Sequence, residues 1–341
     1  MLPSPSPSKL TLEEARRYIL SLYASLLERE PKPDEFEYWV KFLRDGNSTE
    51  SVYYRFVDSK EHKLKKAVSC CFPPGHFYSP IVDPSTVVDY ITRERKTAAD
   101  GLPGIEMPLA AMGIFWQRSA RVISATPFPE KSSASHRFYY DNNIFTYGDA
   151  ITLRAMLADL RPRSVVEIGS GFSSACMLDC ADEFGLNTVF TFIDPDPNRL
   201  RQLLRPGDFE RVTIIEAPVQ TTELDMYTSL RRGDVLFIDS THVLKTGSDV
   251  HFELFHILPR LHEGVVVHFH DIQYPFEYPD EWILRKNHSW NEIYALRAFL
   301  TYNSRFRIRF WGSYFAAMRP EMIRKVFPKF LVNPGGSLWI E

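Results

Sequence analysis

The chain has 341 residues, 44% of them hydrophobic and 14% aromatic, and a formal net charge of −3. That length and apolar content can bury one large core and a smaller second one. With no long Lys/Arg block, the charge excludes the electrostatic footprint of a nucleic-acid binder, and no run of about 18 apolar residues reads as a membrane span. The start, MLPSPSPSK, lacks the apolar stretch of a secretion signal, so a soluble, cytoplasmic protein is expected. Four cysteines are too few for a disulfide framework here; Cys70 and Cys71 are adjacent, Cys176 and Cys180 stand one helical turn apart, and reduced thiols are expected.

Residues 1–9 alternate Pro and Ser, offer nothing to bury and read as a disordered tail. From Thr11, TLEEARRYILSLYASLLERE opens with a capping box formed by Thr11 and Glu14, then sets Ile19, Leu20, Leu22, Tyr23 and Leu26 at helical spacing. The next segment has a Pro-flanked start, a Gly stop after Asp45 and a weaker cap at Ser48, so residues 10–68 form an all-helical unit. Within it, LYASLLEREPKPDEFEYWVKFLRDGNS resembles the short domain of unknown function numbered 4214. The resemblance implies an accessory role, docking a protein partner or a second copy, and a plain helical cap fits equally well. Residues 69–145 are rich in Pro and read as a connecting arm with one helix from Pro108 to Trp116.

Beyond Ser164, apolar runs of strand length alternate with helical patterns: SVVEI, TVFTFI, RVTII, DVLFI and GVVVHFH. Such alternation predicts βαβ units and a mostly parallel sheet covered on both faces, with RFRIRF and GGSLWIE as two further strands. Residues 146–341 are therefore expected to form an α/β, Rossmann-like domain.

The first strand ends in VVEIGSGFSS, which brings Glu167, Gly169, Ser170, Gly171 and Ser173 to a strand-to-helix turn where a ligand can approach the backbone. The second ends at Asp194, whose carboxylate can accept both hydroxyls of a ribose or, alternatively, cap the helix that follows. A third glycine is missing where the dinucleotide fingerprint requires one, which argues against NAD. Glu-x-Gly-x-Gly followed by an acid closing the next strand resembles the class I S-adenosylmethionine-dependent methyltransferases. Together with YYDNNIFTYGDA, DVLFIDSTHVLKTGSDV and HFHDIQYPFEYPDEW, it is similar to the bacterial methyltransferase 24 branch. The resemblance implies a seven-stranded sheet, a methionine moiety over Gly169 to Gly171, a ribose on Asp194, and Tyr147 and Asp149 near the cofactor. The adenine contact stays open between Glu216 and Gln220.

Two more strand ends carry chemistry. FIDSTH presents Asp239 and His242, and HFHDI presents His268, His270 and Asp271. Ionising an aliphatic hydroxyl at pH 7 costs roughly 12 kcal/mol, taking water as a guide, whereas a general base contributes about 10² to 10⁴ in rate. His242 is the expected base, with Asp239, His270 and Asp271 completing the catalytic rim, while His268, deeper in its strand, is expected to be structural. Relatives that hold Mg²⁺ with carboxylates at these strand ends make Asp239 and Asp271 metal candidates, although His270 is a poor neighbour for a hard cation. Tyr274, Phe276, Tyr278 and Trp282 either stack on an acceptor or simply pack their loop. The expected activity is methyl transfer from S-adenosylmethionine to a hydroxyl of a carbohydrate or small molecule, with or without a divalent cation. An oxidoreductase and a non-catalytic binding module are the alternatives.

Overall fold

The computed structural model describes residues 10–62, 72, 74–95 and 101–341. The expected tail at residues 1–9 and the pair Cys70 and Cys71 lie outside the described residues. Two compact units divide the chain, residues 1–86 and 87–341, each with its own hydrophobic core.

The first unit is helical. The Thr11 hydroxyl accepts from the Glu14 amide while the Glu14 carboxylate accepts from the Thr11 amide, so the predicted capping box starts α1 (Leu12–Leu26). α2 (Pro33–Arg44) opens with proline in its first turn, and α3 (Thr49–Val57) is capped by Ser48, whose Oγ accepts from the Ser51 amide. Their apolar faces meet around Ile19, Val40, Val52 and Phe56, with the Tyr23 ring edge-on to Phe56 at 5.0 Å. Arg29 clips the helices from outside, pairing with Glu35 at 2.8 Å and Glu61 at 2.5 Å.

In the second unit the helix expected to end at Trp116 continues as α4 (Leu109–Ser124), because its apolar stripe runs on through Ile123. That stripe buries Met112, Phe115 and Trp116, so part of the Pro-rich arm belongs to the larger core. All seven predicted strands are present: β1 (Ser164–Ile168), β2 (Val189–Ile193), β3 (Val212–Ile215), β4 (Val235–Ile238), β5 (Val266–Phe269), β6 (Ile308–Trp311) and β7 (Leu338–Ile340). They form one sheet in the order β3-β2-β1-β4-β5-β7-β6, with β1 to β5 parallel and β7 antiparallel to both neighbours. Every residue of β4 and β5 is buried, which is why these strands read as unbroken apolar runs rather than as alternation. Helices α5 (Tyr147–Leu160), α6 (Phe172–Phe184), α7 (Asn198–Leu203) and α8 (Glu292–Leu300) complete the elements that shape the site.

β1 lies between β2 and β4, so the strand order reverses beside it and opens a crevice at the carboxyl ends, where such sheets bind ligands. Cys176 and Cys180 are buried in α6 as free thiols. Among the described residues no helix is long and apolar enough to cross a membrane.

Candidate active site

The sheet register sets the site. Ile193, Ile168, Ile238 and Phe269 lie side by side, so the residues that follow them, Asp194, Gly169, Asp239 and His270, form one row along the rim. Hydrogen bonding continues through that row: the amides of Asp194, Gly169, Asp239 and His270 donate to Ile215, Ile193, Ile168 and Ile238 at 2.8–3.0 Å. The row is thus part of the sheet and rigid with it. Gly169 has φ +80°, and a Cβ there would stand 1.8 Å from the Asp239 carbonyl oxygen, so only glycine lets the two strand ends meet.

Two adjoining cavities open on this row. The first, about 310 Å³, is lined by Gly169, Asp194, Pro218, Val219, Gln220 and Asp249 among others. Asp194 is aimed rather than free: Ser170 donates to its Oδ2 from the amide and the hydroxyl at 2.8 and 2.9 Å, and the Asp196 amide donates to Oδ1 at 2.8 Å. Oδ1, with one bond accepted, keeps acceptor capacity. Of the two adenine-side residues left open by the sequence, Gln220 lines this cavity, while Glu216 pairs with Arg201 at 2.6 Å. Glu167 does not reach the cavity; it is fully buried and accepts hydrogen bonds from Ser173 and Ser174, which anchors the start of α6 beneath the turn. Burial pushes its carboxyl up to about 8 against the pull of those two hydroxyls.

The second cavity, about 510 Å³, shares Gly169, Asp194 and Asp239 with the first and adds His242, His270, Asp271, Arg199, Trp282 and Trp290. His242 and Asp271, both at left-handed backbone angles of +61° and +57°, turn into it from the loops after β4 and β5. His242 is pinned at both ends to the start of α8: its carbonyl accepts from the Asn291 and Glu292 amides, and Nδ1 donates to Glu292 Oε2 at 2.8 Å. That bond leaves Nε2 facing Asp239 at 3.7 Å and Asp271 at 3.6 Å. Burial works to lower the His242 pKa, but the Glu292 hydrogen bond and the charges of Glu292, Asp239 and Asp271 carry it up to about 9. His270 lies behind, with Nδ1 3.4 Å from Asp239 and 3.5 Å from Asp271, and Nε2 3.6 Å from Asp149. Burial opposes its charge as well, and those three carboxylates raise its pKa well above the usual histidine range. The two rim carboxylates are driven apart. Burial would raise Asp239, yet His270 and His242 hold it down to about 2, whereas for Asp271 burial prevails and the shift is upward.

Other predicted residues sit elsewhere. Tyr147 donates to Glu130 at 2.8 Å and stacks near Tyr140, lining neither cavity. Asp149 is buried one layer beneath His270, accepting from the Gly336 amide at 3.0 Å and the Ser337 hydroxyl at 2.7 Å. Asp149 thus supports the rim through His270, whereas Tyr147 is turned away from it. His268 is in the core, stacked 3.7 Å from Phe237 and hydrogen-bonded to Ser337 at 3.0 Å, and burial lowers its pKa well below the usual range, so it is neutral. Among the loop aromatics, Phe276 and Tyr278 are fully buried, Tyr274 packs on Trp311 and Tyr314, and only Trp282 reaches the cavity. Its partner on that wall is Trp290, whose ring lies 4.5 Å from His242. Trp290 and Arg199 line the cavity and Glu292 bonds His242, three candidates that the sequence does not single out; there Glu292 looks like an ordinary acid in the first turn of a helix.

Asp239 and Asp271, the metal candidates of the sequence, stand beside His242 and His270. Among the described residues no group of three or more His, Cys, Asp or Glu side chains is arranged to hold a metal ion, and each of these carboxylates faces two imidazoles instead.

The seven-stranded sheet of this order, with a glycine turn after β1 and an acid after β2, is the arrangement that the resemblance to class I methyltransferases implies. Residues 166–272 match the family described as a methyltransferase domain, and residues 9–66 match the domain of unknown function DUF4214. An uncharacterized protein of Archaeoglobus fulgidus is 28% identical over 179 residues, which are 50% of this chain and 78% of that protein. Among solved structures, a Mg- and SAM-containing form of CmcI shares 22% identity over 42% of this chain, with a TM-score of 0.27; the match spans 58% of CmcI, less than two thirds. The SAH-bound methyltransferase PaMTH1 of Podospora anserina shares 16% identity over 66% of this chain and 90% of its own, with a TM-score of 0.36.

Proposed function

We propose that residues 87–341 transfer a methyl group from S-adenosylmethionine to a hydroxyl oxygen of a carbohydrate or other small acceptor, with His242 as general base. The observation that carries this reading is the His242–Glu292 pair, which aims Nε2 into the cavity that adjoins the Asp194 turn. The turn fits the cofactor: a carboxylate fixed by Ser170 suits a ribose, and Gly169 lines both cavities beside it without a side chain. Bound there, S-adenosylmethionine supplies an electrophilic methyl carbon.

Asp194 would hold the ribose and Gln220 the adenine side. Trp282 and Trp290 form an apolar wall for the acceptor and keep water from the reacting oxygen. The acceptor need not be ionised in advance. The acceptor's hydroxyl proton would pass to His242 Nε2 as its oxygen takes the methyl group, while Glu292 would hold Nδ1–H and stabilise the imidazolium. Beside a cationic donor the His242 pKa falls from about 9 toward neutrality, since like charges disfavour the protonated ring. Asp239, ionised and held by His270, orients the hydroxyl. No cation is required in this scheme.

Calorimetry with S-adenosylhomocysteine and NAD, followed by transfer of a tritiated methyl group to a panel of sugars and phenols, tests the reading. Binding of S-adenosylhomocysteine and label in an alkali-stable ether support it; binding of NAD alone points to the oxidoreductase alternative and overturns it.

A further inference from the structure

Among the described residues, one cation lining the cavity beside the rim has no partner. Asp239 and Asp271 face His270 and His242, and Asp194 accepts from Ser170, but Arg199 has no carboxylate within ion-pair distance and no hydrogen-bond partner. Its neighbours along the chain contrast with it: Arg201 pairs with Glu216 at 2.6 Å, and Arg205 donates to the Ser135 carbonyl at 2.7 Å. Arg199 is the second residue of α7, just beyond Asp194, and its side chain lies against the glycine turn, so that a Cβ on Gly171 would stand 3.0 Å from its Cδ. A side chain at 171 would crowd the Arg199 side chain in this position. Arg199 lines the larger cavity and not the smaller one that holds Pro218 and Gln220, so it serves the end of the ligand away from the adenine.

We infer that Arg199 is the carboxylate clamp of the site, binding the α-carboxylate of the amino-acid end of the methyl donor. The inference rests on the proposed cofactor and deepens it. A guanidinium offers two parallel N–H donors matched to a carboxylate, and none of the carboxylates that line the cavity lies within ion-pair distance of it. The clamp would fix the donor at the end opposite the ribose held by Asp194, so that the sulfur between them has one position along the rim.

Two ligands separate the clamp from any general effect on the fold. S-adenosylhomocysteine carries the carboxylate; 5′-methylthioadenosine keeps the adenosine and the sulfur but lacks the amino-acid end. In the full chain, Arg199→Ala is expected to weaken S-adenosylhomocysteine about 10- to 100-fold, the range for a charge-assisted hydrogen-bonded pair, and to leave methylthioadenosine within about twofold. Arg199→Lys, which keeps the charge but not the fork, is expected to fall between. Unchanged S-adenosylhomocysteine affinity in Arg199→Ala overturns the inference, including the case where only an acidic acceptor is then turned over poorly, which assigns the cation to the acceptor instead. Equal loss for both ligands also overturns it, since the residue then acts through the turn. A wild type that binds neither ligand defeats the cofactor reading itself, and the clamp with it.

Discussion

His242 and Glu292 carry the chemistry at the scale of single residues. A base works in its unprotonated form, and the pKa of about 9 means that turnover rises with pH through the neutral range, with a midpoint below 9 once the cationic donor is bound. His242→Ala is expected to lower kcat by about 10² to 10⁴ while calorimetry still finds S-adenosylhomocysteine bound. Glu292→Gln removes the charge that raises the ring pKa, so the pH–rate profile should move to lower pH as the maximal rate falls. A profile that keeps its midpoint would mean that Glu292 does not act on His242. The same pair has a stability signature. A histidine whose folded pKa exceeds the usual value of about 6.5 contributes stability that is full below that pH and is lost as pH rises through about 9, here on the order of 3 kcal/mol. Denaturant melts of wild type and Glu292→Gln should therefore differ most near pH 6 and converge in alkali.

Elements decide which aromatic and glycine positions matter. The segment after β5 holds Phe276 and, in a short helix (Asp280–Leu284), Trp282, and the two have opposite duties. Phe276 is buried against Trp311 at 4.5 Å, so Phe276→Ala is expected to cost about 3–5 kcal/mol of stability. Trp282 is half-buried on the cavity wall, and Trp282→Ala is expected to raise KM for the acceptor severalfold with a much smaller effect on melting. If the two variants melt alike, Trp282 is core and the wall has been misread. At the β1 end, Gly169→Ala forces a methyl group toward the Asp239 carbonyl and strains a φ of +80°. A destabilisation of about 2–4 kcal/mol with loss of S-adenosylhomocysteine binding is expected from melts and calorimetry.

For the molecule as a whole, two cores imply two folding units. A chain beginning at residue 87 retains the sheet, α4 and both cavities, and is expected to bind S-adenosylhomocysteine within about threefold of the full chain. Aggregation or a collapse in affinity would show that the helical unit is needed by the larger core. The cation question is also decided at this scale: because each rim carboxylate faces imidazoles, EDTA is expected to leave turnover unchanged, and a loss restored by Mg²⁺ would reinstate Asp239 and Asp271 as ligands.

Local physics was enough for the strands, the capping box at Thr11 and the row of chemistry at the strand ends. A strand buried on both faces must be apolar along its length, a cap is made within four residues, and a parallel sheet sends its functional groups to the carboxyl ends. The same patterns indicated His242, Asp239, His270 and Asp271 by residue type. What they lacked was any measure of distance between segments. Glu292, 50 residues beyond His242, becomes its hydrogen-bond partner only when α8 is laid against the loop after β4, and Asp149, at the start of α5, comes to lie beneath His270 only when the Gly336 turn closes over it. Tyr147, two residues earlier and on another side of the same helix, is carried away to Glu130. Residue identity marks which groups can take or hold a proton, and short-range spacing marks which strand they leave; which of two carboxylates orients a ring, and which aromatic faces a cavity, depends on packing between segments far apart in the chain, and only the folded structure decides it.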